Sequence, residues 1–493
     1  MRKPIDVLNS LKYHADDSSY KYKRLYRNFY NPGFYYQAYL NIQSGQGNMT
    51  CGVDSQTIYG VSQNRIESII SKMKDCSYRP TPARRVCIPK AKGKHRPLGI
   101  PSFNDKLIQE VCRMLLESIY EPTFSNLSHG FRPNRSCHTA MLSIRQQFKE
   151  TKWFIEGDIV SFFNNIDHHV LTDILRERIR DEQFIALVWK FLKAGYMEFQ
   201  SFQKTYSGTP RGSIISPILS NIYLDKLDKY MEEYISSFNE RKMTISKVHE
   251  LDNALNKVPS IMAMDDNFKR LSYMRYADNF LCGVIGKKED AVAIKTDIAN
   301  FLNSKLHLEL SNDNRLITHG KDKVKFLGFE IFVNESYGRT ARKFNGLIKI
   351  YVPNVKWVKR LQEYGALKIK YVDGKEIFEP IHRNYMVNND DLEILNQFNR
   401  EICGMYNYYR IADNVSVLNN FYYVMSYSMY KTYAAKYKTH ISSIRRKYGV
   451  KKFAIPYINE AGKECKAYFY DKGFRVNRKV KEPRKVDLML ELL

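Results

Sequence analysis

Long apolar runs are missing from this 493-residue chain. None approaches the roughly 20 residues that a helix needs to cross a bilayer, which excludes a helical membrane protein. The N-terminus, Met1-Arg2-Lys3-Pro4 with Asp6, Asp16 and Asp17 close behind, lacks the apolar stretch of a signal peptide. Paired cysteines are missing too. The eight cysteines lie far apart and none forms a Cys-x-x-Cys pair, so neither a zinc knuckle nor a disulfide framework is expected. These absences point to a soluble, intracellular protein with reduced thiols. Acid is scarce: 52 Asp and Glu face 78 Lys and Arg, a net charge of +26. Such an excess costs self-repulsion and calls for a polyanion to offset it.

What is present agrees with such a partner. A hydrophobic fraction of 44% supports a large core, and the length implies two to four domains. Thirty-six tyrosines interleave with cations, as in Tyr20-Lys21-Tyr22-Lys23-Arg24. Cations neutralise phosphates and rings stack on unpaired bases, so nucleic acid is the expected partner.

Along the chain, residues 1–84 read as short helices broken at Gly45-Gln46-Gly47. Residues 85–335 mix strands and helices around Gly/Pro turns, with a polar insertion at about 232–269. Leu107, Val111, Leu115 and Ile119 predict a helix over Lys106–Tyr120, stopped by Glu121-Pro122. Residues 336–450 form a third region, helical and Tyr-rich from about 390, and 451–493 a short basic segment. Two strand ends carry carboxylates. Trp153-Phe154-Ile155-Glu156-Gly157-Asp158 is an apolar strand ending at Asp158, and Tyr273 to Val284 predicts a hairpin with Asp278 at its tip. Such a pair on neighbouring strands could hold two Mg²⁺ ions. Either Asp alone is more often a turn former.

In their order these blocks resemble the reverse transcriptases encoded by group II introns. Lys94-His95-Arg96-Pro97-Leu98-Gly99-Ile100-Pro101 is similar to the fingers block, and Ser128-His129-Gly130-Phe131-Arg132-Pro133-Asn134-Arg135-Ser136 to the next one. Gly157-Asp158-Ile159 through Asp167-His168 matches motif A, Ser207 through Pro217 motif B, and Tyr276-Ala277-Asp278-Asn279 motif C. Cys403 through Tyr409 and Lys431 through Lys436 resemble the maturase domain X. The resemblance is to the lactococcal type and covers about residues 1–470. It implies an α/β right-hand polymerase of fingers and palm, followed by an all-α thumb/maturase domain. Asp158 and Asp278 would then be the Mg²⁺ carboxylates. Lys94, Arg96, Phe163, Arg211 and Gly212 would face the nucleotide, and Phe326, Leu327, Gly328 and Phe329 would form the primer grip. Arg132, Arg135, Lys431, Lys436, Tyr408 and Tyr409 would bind RNA. The partner implied is the host's own group II intron RNA, with target DNA reached as a ribonucleoprotein, and no membrane. Monomer and dimer stay open.

Departures cluster where catalysis is expected. Asn279 stands where motif C has a second Asp, and Arg211 and Ser213 break the Gln and Gly of motif B. Asn164 stands where motif A commonly has Asp, and Asn314 where a Lys is usual. An Asp→Asn exchange keeps shape and removes a charge beside the metals. The departures imply an intron-specific maturase with impaired reverse transcription. Its rivals are an active reverse transcriptase for intron mobility, a free-standing relative used in defence or repair, and a chaperone for several introns. Frequent Lys, Asn, Ile and Tyr suit a low-GC bacterium or an organelle. With only Cys465 after Cys403 and no His after His440, the C-terminal endonuclease of DNA-cutting relatives is not expected.

Overall fold

The computed structural model describes the chain except for residues 46, 48, 90–94, 199–200, 210–211, 241–267, 312–316, 336–344, 450–451, 460–461 and 481–493. Contacts divide it into two compact units, Met1–Pro133 with Ile155–Ile317, and Asn134–Phe154 with Thr318–Leu493.

The first unit begins with helices α1 (Pro4–Tyr13), α2 (Pro32–Gln43) and α3 (Gln63–Lys74). Strands β1 (Ala83–Pro89) and β2 (His95–Ile100) pair antiparallel, and α4 (Phe103–Tyr120) follows. The predicted stripe is the reason α4 is buried. Leu107, Val111, Leu115 and Ile119 are all fully enclosed, and burying each stabilises by about 1.5–3 kcal/mol. Its start lies three residues earlier than the spacing alone suggests, because the Ser102 hydroxyl accepts from Asp105 N and caps the first turn.

Helix α5 (Cys137–Gln147) belongs to the second unit, and β3 (Trp153–Asp158) runs back into the first. There follow α6 (His168–Arg176), α7 (Glu182–Leu192), β4 (Tyr196–Glu198), β5 (Ser201–Gln203) and the long α8 (Ser216–Glu240). Hairpin strands β6 (Arg270–Tyr276) and β7 (Asn279–Ile285) come next, then α9 (Lys288–Leu306). In the sheet β7 lies between β6 and β3, and a separate sheet has the order β2-β1-β4-β5. The insertion expected at 232–269 starts inside α8, and 241–267 lie outside the described residues.

The second unit carries the three-stranded meander β8 (Val324–Phe326), β9 (Phe329–Val333) and β10 (Ile348–Tyr351). Then come α10 (Asn354–Glu363), the hairpin β11 (Leu367–Val372) and β12 (Lys375–Pro380), and helices α11 (Asp391–Tyr409), α12 (Leu418–Lys436) and α13 (Ile441–Tyr448). The all-α expectation for 336–450 is therefore corrected. Lys368, Ile369, Lys370, Tyr371 and Val372 pair antiparallel with their partners across a turn at Asp373 (φ 51°) and Gly374 (φ 71°), which only a left-handed Asp-Gly pair closes easily. Over its described residues, which end at Val480, the basic segment packs against the rest of the unit. Strands β13 (Ala454–Ile458) and β14 (Glu464–Tyr468) pair, and Phe453, Phe469, Tyr470 and Phe474 are buried. Asn399 Nδ2 donates to Tyr468 O (2.8 Å), Tyr406 OH to Arg475 O (2.8 Å) and Arg410 Nη2 to Lys479 O (2.8 Å), strapping the segment onto α11 and the turn after it.

Candidate active site

The hairpin closes in two residues, Ala277 and Asp278, between the paired Tyr276 and Asn279. Ala277 has φ 54°, a left-handed value that favours glycine. Room for it is made opposite: a Cβ on Gly130 would lie 2.4 Å from Ala277 N. Gly157 does the same for the neighbouring strand, where a Cβ would lie 2.0 Å from the Phe280 ring. These two close approaches bring Asp278 beside the end of β3. Asn279 Nδ2 donates to Asp158 Oδ1 (3.3 Å) and to Asp278 Oδ1 (3.2 Å), so both carboxylates converge within reach of one amide. All three side chains are half-exposed.

Two converging carboxylates are hard oxygen donors of the kind Mg²⁺ takes, so they fit such an ion. They are also one charge short, and among the described residues no group of three His, Cys, Asp or Glu could hold a metal. The amide N–H end points where two negative oxygens meet, which relieves their repulsion in a way a third carboxylate could not.

Next to Asp158 the backbone turns sharply at Ser161 (φ 45°) and places Phe163, 7% exposed, against Phe162 and Phe131. Phe163 and Asn164 line a cavity of about 310 Å³ with Arg85, Gly99, Tyr196, Lys204, Tyr206 and Gly208, among others. The Ser207–Thr209 turn is sewn to this loop: Gly208 N donates to Ile166 O (2.8 Å), Thr209 N to Phe163 O (2.7 Å) and Ser207 Oγ to Asn164 O (2.9 Å). Gly208 (φ 84°) can be nothing larger, since a Cβ would sit 2.5 Å from Phe163 O. Gly212 meets β2 in the same manner, 2.7 Å from Gly99 O. Ser213, a departure from the family pattern, is buried and gives its hydroxyl to Gln109 Oε1 (2.8 Å), which also accepts from Ile214 N (3.1 Å). That substitution is structurally accommodated. Lys94, Arg211 and Asn314 lie outside the described residues. For Arg96 only its backbone register, opposite Ile88, is described.

Arg132, Tyr408, Tyr409, Lys431 and Lys436, five of the six residues expected to touch RNA, make bonds within the protein. Arg132 is buried, paired with Glu121 (3.0 Å) and donating to Ser125 O (2.5 Å) and Ser128 O (2.9 Å). In the second unit, Tyr408 and Tyr409 are wholly enclosed. Their hydroxyls donate to Leu327 O (2.6 Å) and Gly328 O (3.1 Å), and Phe329 stacks on Tyr408 at 5.2 Å. The two-residue turn Leu327-Gly328 (φ 47° and 74°) between Phe326 and Phe329 is thus held from beneath. Lys431 Nζ donates to Pro380 O (2.7 Å), and Lys436 Nζ to Asn389 O (2.6 Å) and Asp391 Oδ1 (2.7 Å). Asp391 also accepts from Tyr437 and Tyr448. Burial raises its pKa, but these bonds outweigh it and hold the carboxyl below its ordinary value. Arg135 is half-buried at the entry to α5.

One residue near the hairpin was not foreseen. Arg275 lies inside β6, 1% exposed, beside Asp228 of α8. The signal was available: an arginine inside an apolar run, two residues before a turn, is rarely left unpaired.

Strand-end carboxylates meeting on adjacent strands, beside a long helix and a separate strand-rich element, define the palm and fingers of a template-directed nucleic-acid polymerase. Comparison with known proteins narrows this. The reverse transcriptase (RNA-dependent DNA polymerase) family matches residues 88–331, and the type II intron maturase family matches residues 345–482. The group II intron-encoded protein LtrA of Lactococcus lactis subsp. cremoris is 39% identical over 485 residues, 91% of this chain and 80% of that one. The putative COX1/OXI3 intron 2 protein of Saccharomyces cerevisiae is 33% identical over 84% of this chain and 52% of its own length. The nuclear intron maturase 2, mitochondrial, of Arabidopsis thaliana is 24% identical over 73% of this chain and 56% of its own. The chain belongs to the group II intron-encoded reverse transcriptase and maturase family.

Proposed function

We propose that this protein is a maturase that binds the group II intron RNA encoding it and assists that RNA's folding and splicing, with reverse transcription impaired. The carrying observation is the type II intron maturase match over residues 345–482, a stretch that folds as part of one closed unit. Residues 1–84 would extend the RNA surface, 85–335, with the insertion at about 232–269, would form fingers and palm, 336–450 the thumb and maturase region, and 451–493 a short basic segment. The net charge of +26 supplies affinity by counterion release, and shape and 2′-hydroxyl contacts supply selectivity. The protein performs no step of splicing. It stabilises the folded ribozyme by binding that state more tightly than its alternatives.

Impairment of the polymerase rests on Asn279. Asp158 and Asp278 would hold Mg²⁺, which when bound activates a primer 3′-hydroxyl and steadies the departing pyrophosphate. Phe163 would crowd the sugar, and Gly212 would let the nucleotide approach the backbone. Asn279 offers a neutral oxygen in place of a charge, and its N–H occupies both carboxylates. The second reading, an active reverse transcriptase able to carry its intron into target DNA, is favoured by the convergence of those same carboxylates. Among the described residues no helix is long and apolar enough to cross a membrane. A bacterial cytoplasm or nucleoid, or an organelle, fits relatives from both bacteria and mitochondria.

The test is splicing of the encoding intron at limiting Mg²⁺, with and without protein. Acceleration that survives Asp158→Ala with Asp278→Ala is expected. Equal affinity for the intron and an unrelated structured RNA at moderate salt would instead make it a general chaperone.

A further inference from the structure

An arginine carries five N–H donors, and Arg275 uses each of them on a separate bond. Nε donates to Asp228 Oδ1 (2.7 Å) and Nη2 to Asp228 Oδ2 (2.5 Å). The other Nη2 proton goes to Ser128 Oγ (2.8 Å), and Nη1 serves Asn221 Oδ1 (3.3 Å) and Ala277 O (2.9 Å). The last of these is the only arm that reaches the hairpin tip. Ala277 is the left-handed residue of the turn, and the next residue is Asp278.

The partners are locked in their turn. Tyr273 OH donates to Asp228 Oδ1 (3.1 Å), and Asn221 Nδ2 donates to Gly130 O (2.9 Å). Gly130 is the residue whose missing side chain admits Ala277 N. The Ser128 segment makes an isolated bridge to Arg275, with Arg275 N donating to Leu127 O (2.8 Å) and His129 N to Arg275 O (2.9 Å). Asp228 is 0% exposed and Arg275 1%, so the pair sits where an unmet charge is costly and a fully met one is rigid. A strained alanine turn needs such over-determination to persist.

We propose that Arg275 is a positioning residue for Asp278: its guanidinium grips the Ala277 carbonyl and, anchored on Asp228, fixes the turn so that the Asp278 carboxylate faces Asp158. A cation at that place is required by geometry and not by charge alone. Lysine would keep the ion pair with Asp228, but a point-like ammonium cannot reach Asp228, Ser128, Asn221 and Ala277 together. This inference rests on the assignment of Asp158 and Asp278 as the metal carboxylates, and the experiment separates the two.

Mn²⁺ binding to the full chain is measured by electron paramagnetic resonance for the unaltered protein, Asp278→Ala, Arg275→Lys and Ser128→Ala. Hydrogen exchange of the 273–283 segment is followed in parallel without metal. Arg275→Lys is expected to weaken Mn²⁺ about tenfold, the low end for losing a partner behind a metal ligand. Ser128→Ala, a milder change should Arg275→Lys not fold, is expected to weaken it about twofold, since it removes one of five bonds. Exchange should quicken at the hairpin tip while the intron affinity of the folded variant stays unchanged. Unaltered Mn²⁺ affinity and unaltered tip exchange in folded Arg275→Lys or Ser128→Ala would overturn the proposal. If the unaltered protein binds Mn²⁺ no better than Asp278→Ala, the metal assignment falls, and tip exchange alone then decides the role of Arg275.

Discussion

The two units put their polar side chains to opposite uses. In the first, a buried guanidinium and two close-packed glycines hold a strained turn, and Asp278, Asn279 and the neighbouring Asp158 stay half-exposed. In the second, polar groups are turned inward to close the structure. Tyr408 and Tyr409 hold a turn, Lys436 meets Asp391, and Arg145 and Arg478 both pair with Asp413 at 2.7 Å. The first unit thus holds its acidic groups open. The second unit uses its tyrosines as scaffold, so on the function proposed above RNA would be met by groups left outside. Candidates are Tyr423, 57% exposed, and the exposed Arg446 and Lys447 of α13.

The comparison breaks most visibly at Gly157. A methyl there would strike the Phe280 ring, itself 1% exposed and unable to swing away. Gly157→Ala should cost about 3 kcal/mol, the upper part of the overpacking range, and lower only the transition of the first unit. A calorimetric trace with both transitions unmoved would mean that β3 and β7 are not this close.

The second unit should be the more sensitive to mild acid. Burial pushes the His138 pKa down to about 4, opposed in part by the bond between its Nε2 and Tyr408 O (2.5 Å). Its Nδ1 is buried with no partner among the described residues, so a proton there would be an unmet charge. Because the unfolded value is near 6.5, the unfolded state binds the proton first, and stability drains away as pH falls from about 6.5 toward 4. The loss at pH 5 should be roughly 2 kcal/mol. Thermal unfolding at pH 7 and pH 5 measures it, and His138→Phe should flatten the dependence. An equal slope in both proteins would assign the effect elsewhere.

Restoring the missing charge sharpens the contrast from the other side. Without divalent ions, Asn279→Asp should destabilise the first unit by about 1 kcal/mol, since three carboxylates replace two and a shared amide. With Mg²⁺ the order should reverse, and extension of a DNA primer on an RNA template should rise at least severalfold over the parent. Robust extension by the unaltered protein would show that an amide suffices. The smallest effect is expected from Tyr408→Phe, about 1 kcal/mol for one hydroxyl bond to Leu327 O, with splicing lost only near the melting temperature. A large splicing defect well below that temperature would give the ring a direct role.

Much of the first unit was legible because its signals are local. The stripe on α4 and the hairpin around Asp278 depend on spacing and turn chemistry, and both stand where expected. What spacing cannot show is where a polar side chain points. Tyr408, Tyr409 and Arg132 were expected to contact RNA because the family resemblance implied it. Their burial is decided by backbone carbonyls, at Leu327, Gly328, Ser125 and Ser128, that no pattern identifies. Arg275 was missed for the same reason, its chief partner lying 47 residues away in α8. The β11–β12 hairpin was overlooked because the family resemblance implied an all-α domain over 336–450, and the alternating lysines and apolar residues of 367–380 were not weighed against it.

The assignment of α5 to the second unit also sets a timetable. Residues 134–154 leave the ribosome in the middle of the first unit's sequence, yet their partners, Tyr408 and Asp413, come 270 and 268 residues after the residues they meet, and the strap that closes the unit ends near Lys479. At roughly 5–20 residues per second, α5 waits on the order of 15–60 s with its apolar face uncovered. The nascent chain therefore passes through a long period in which the first unit can be complete while the second cannot exist. A host whose translation slows in this stretch would lengthen that exposure, and the yield of folded protein should follow the speed of elongation between residues 155 and 480.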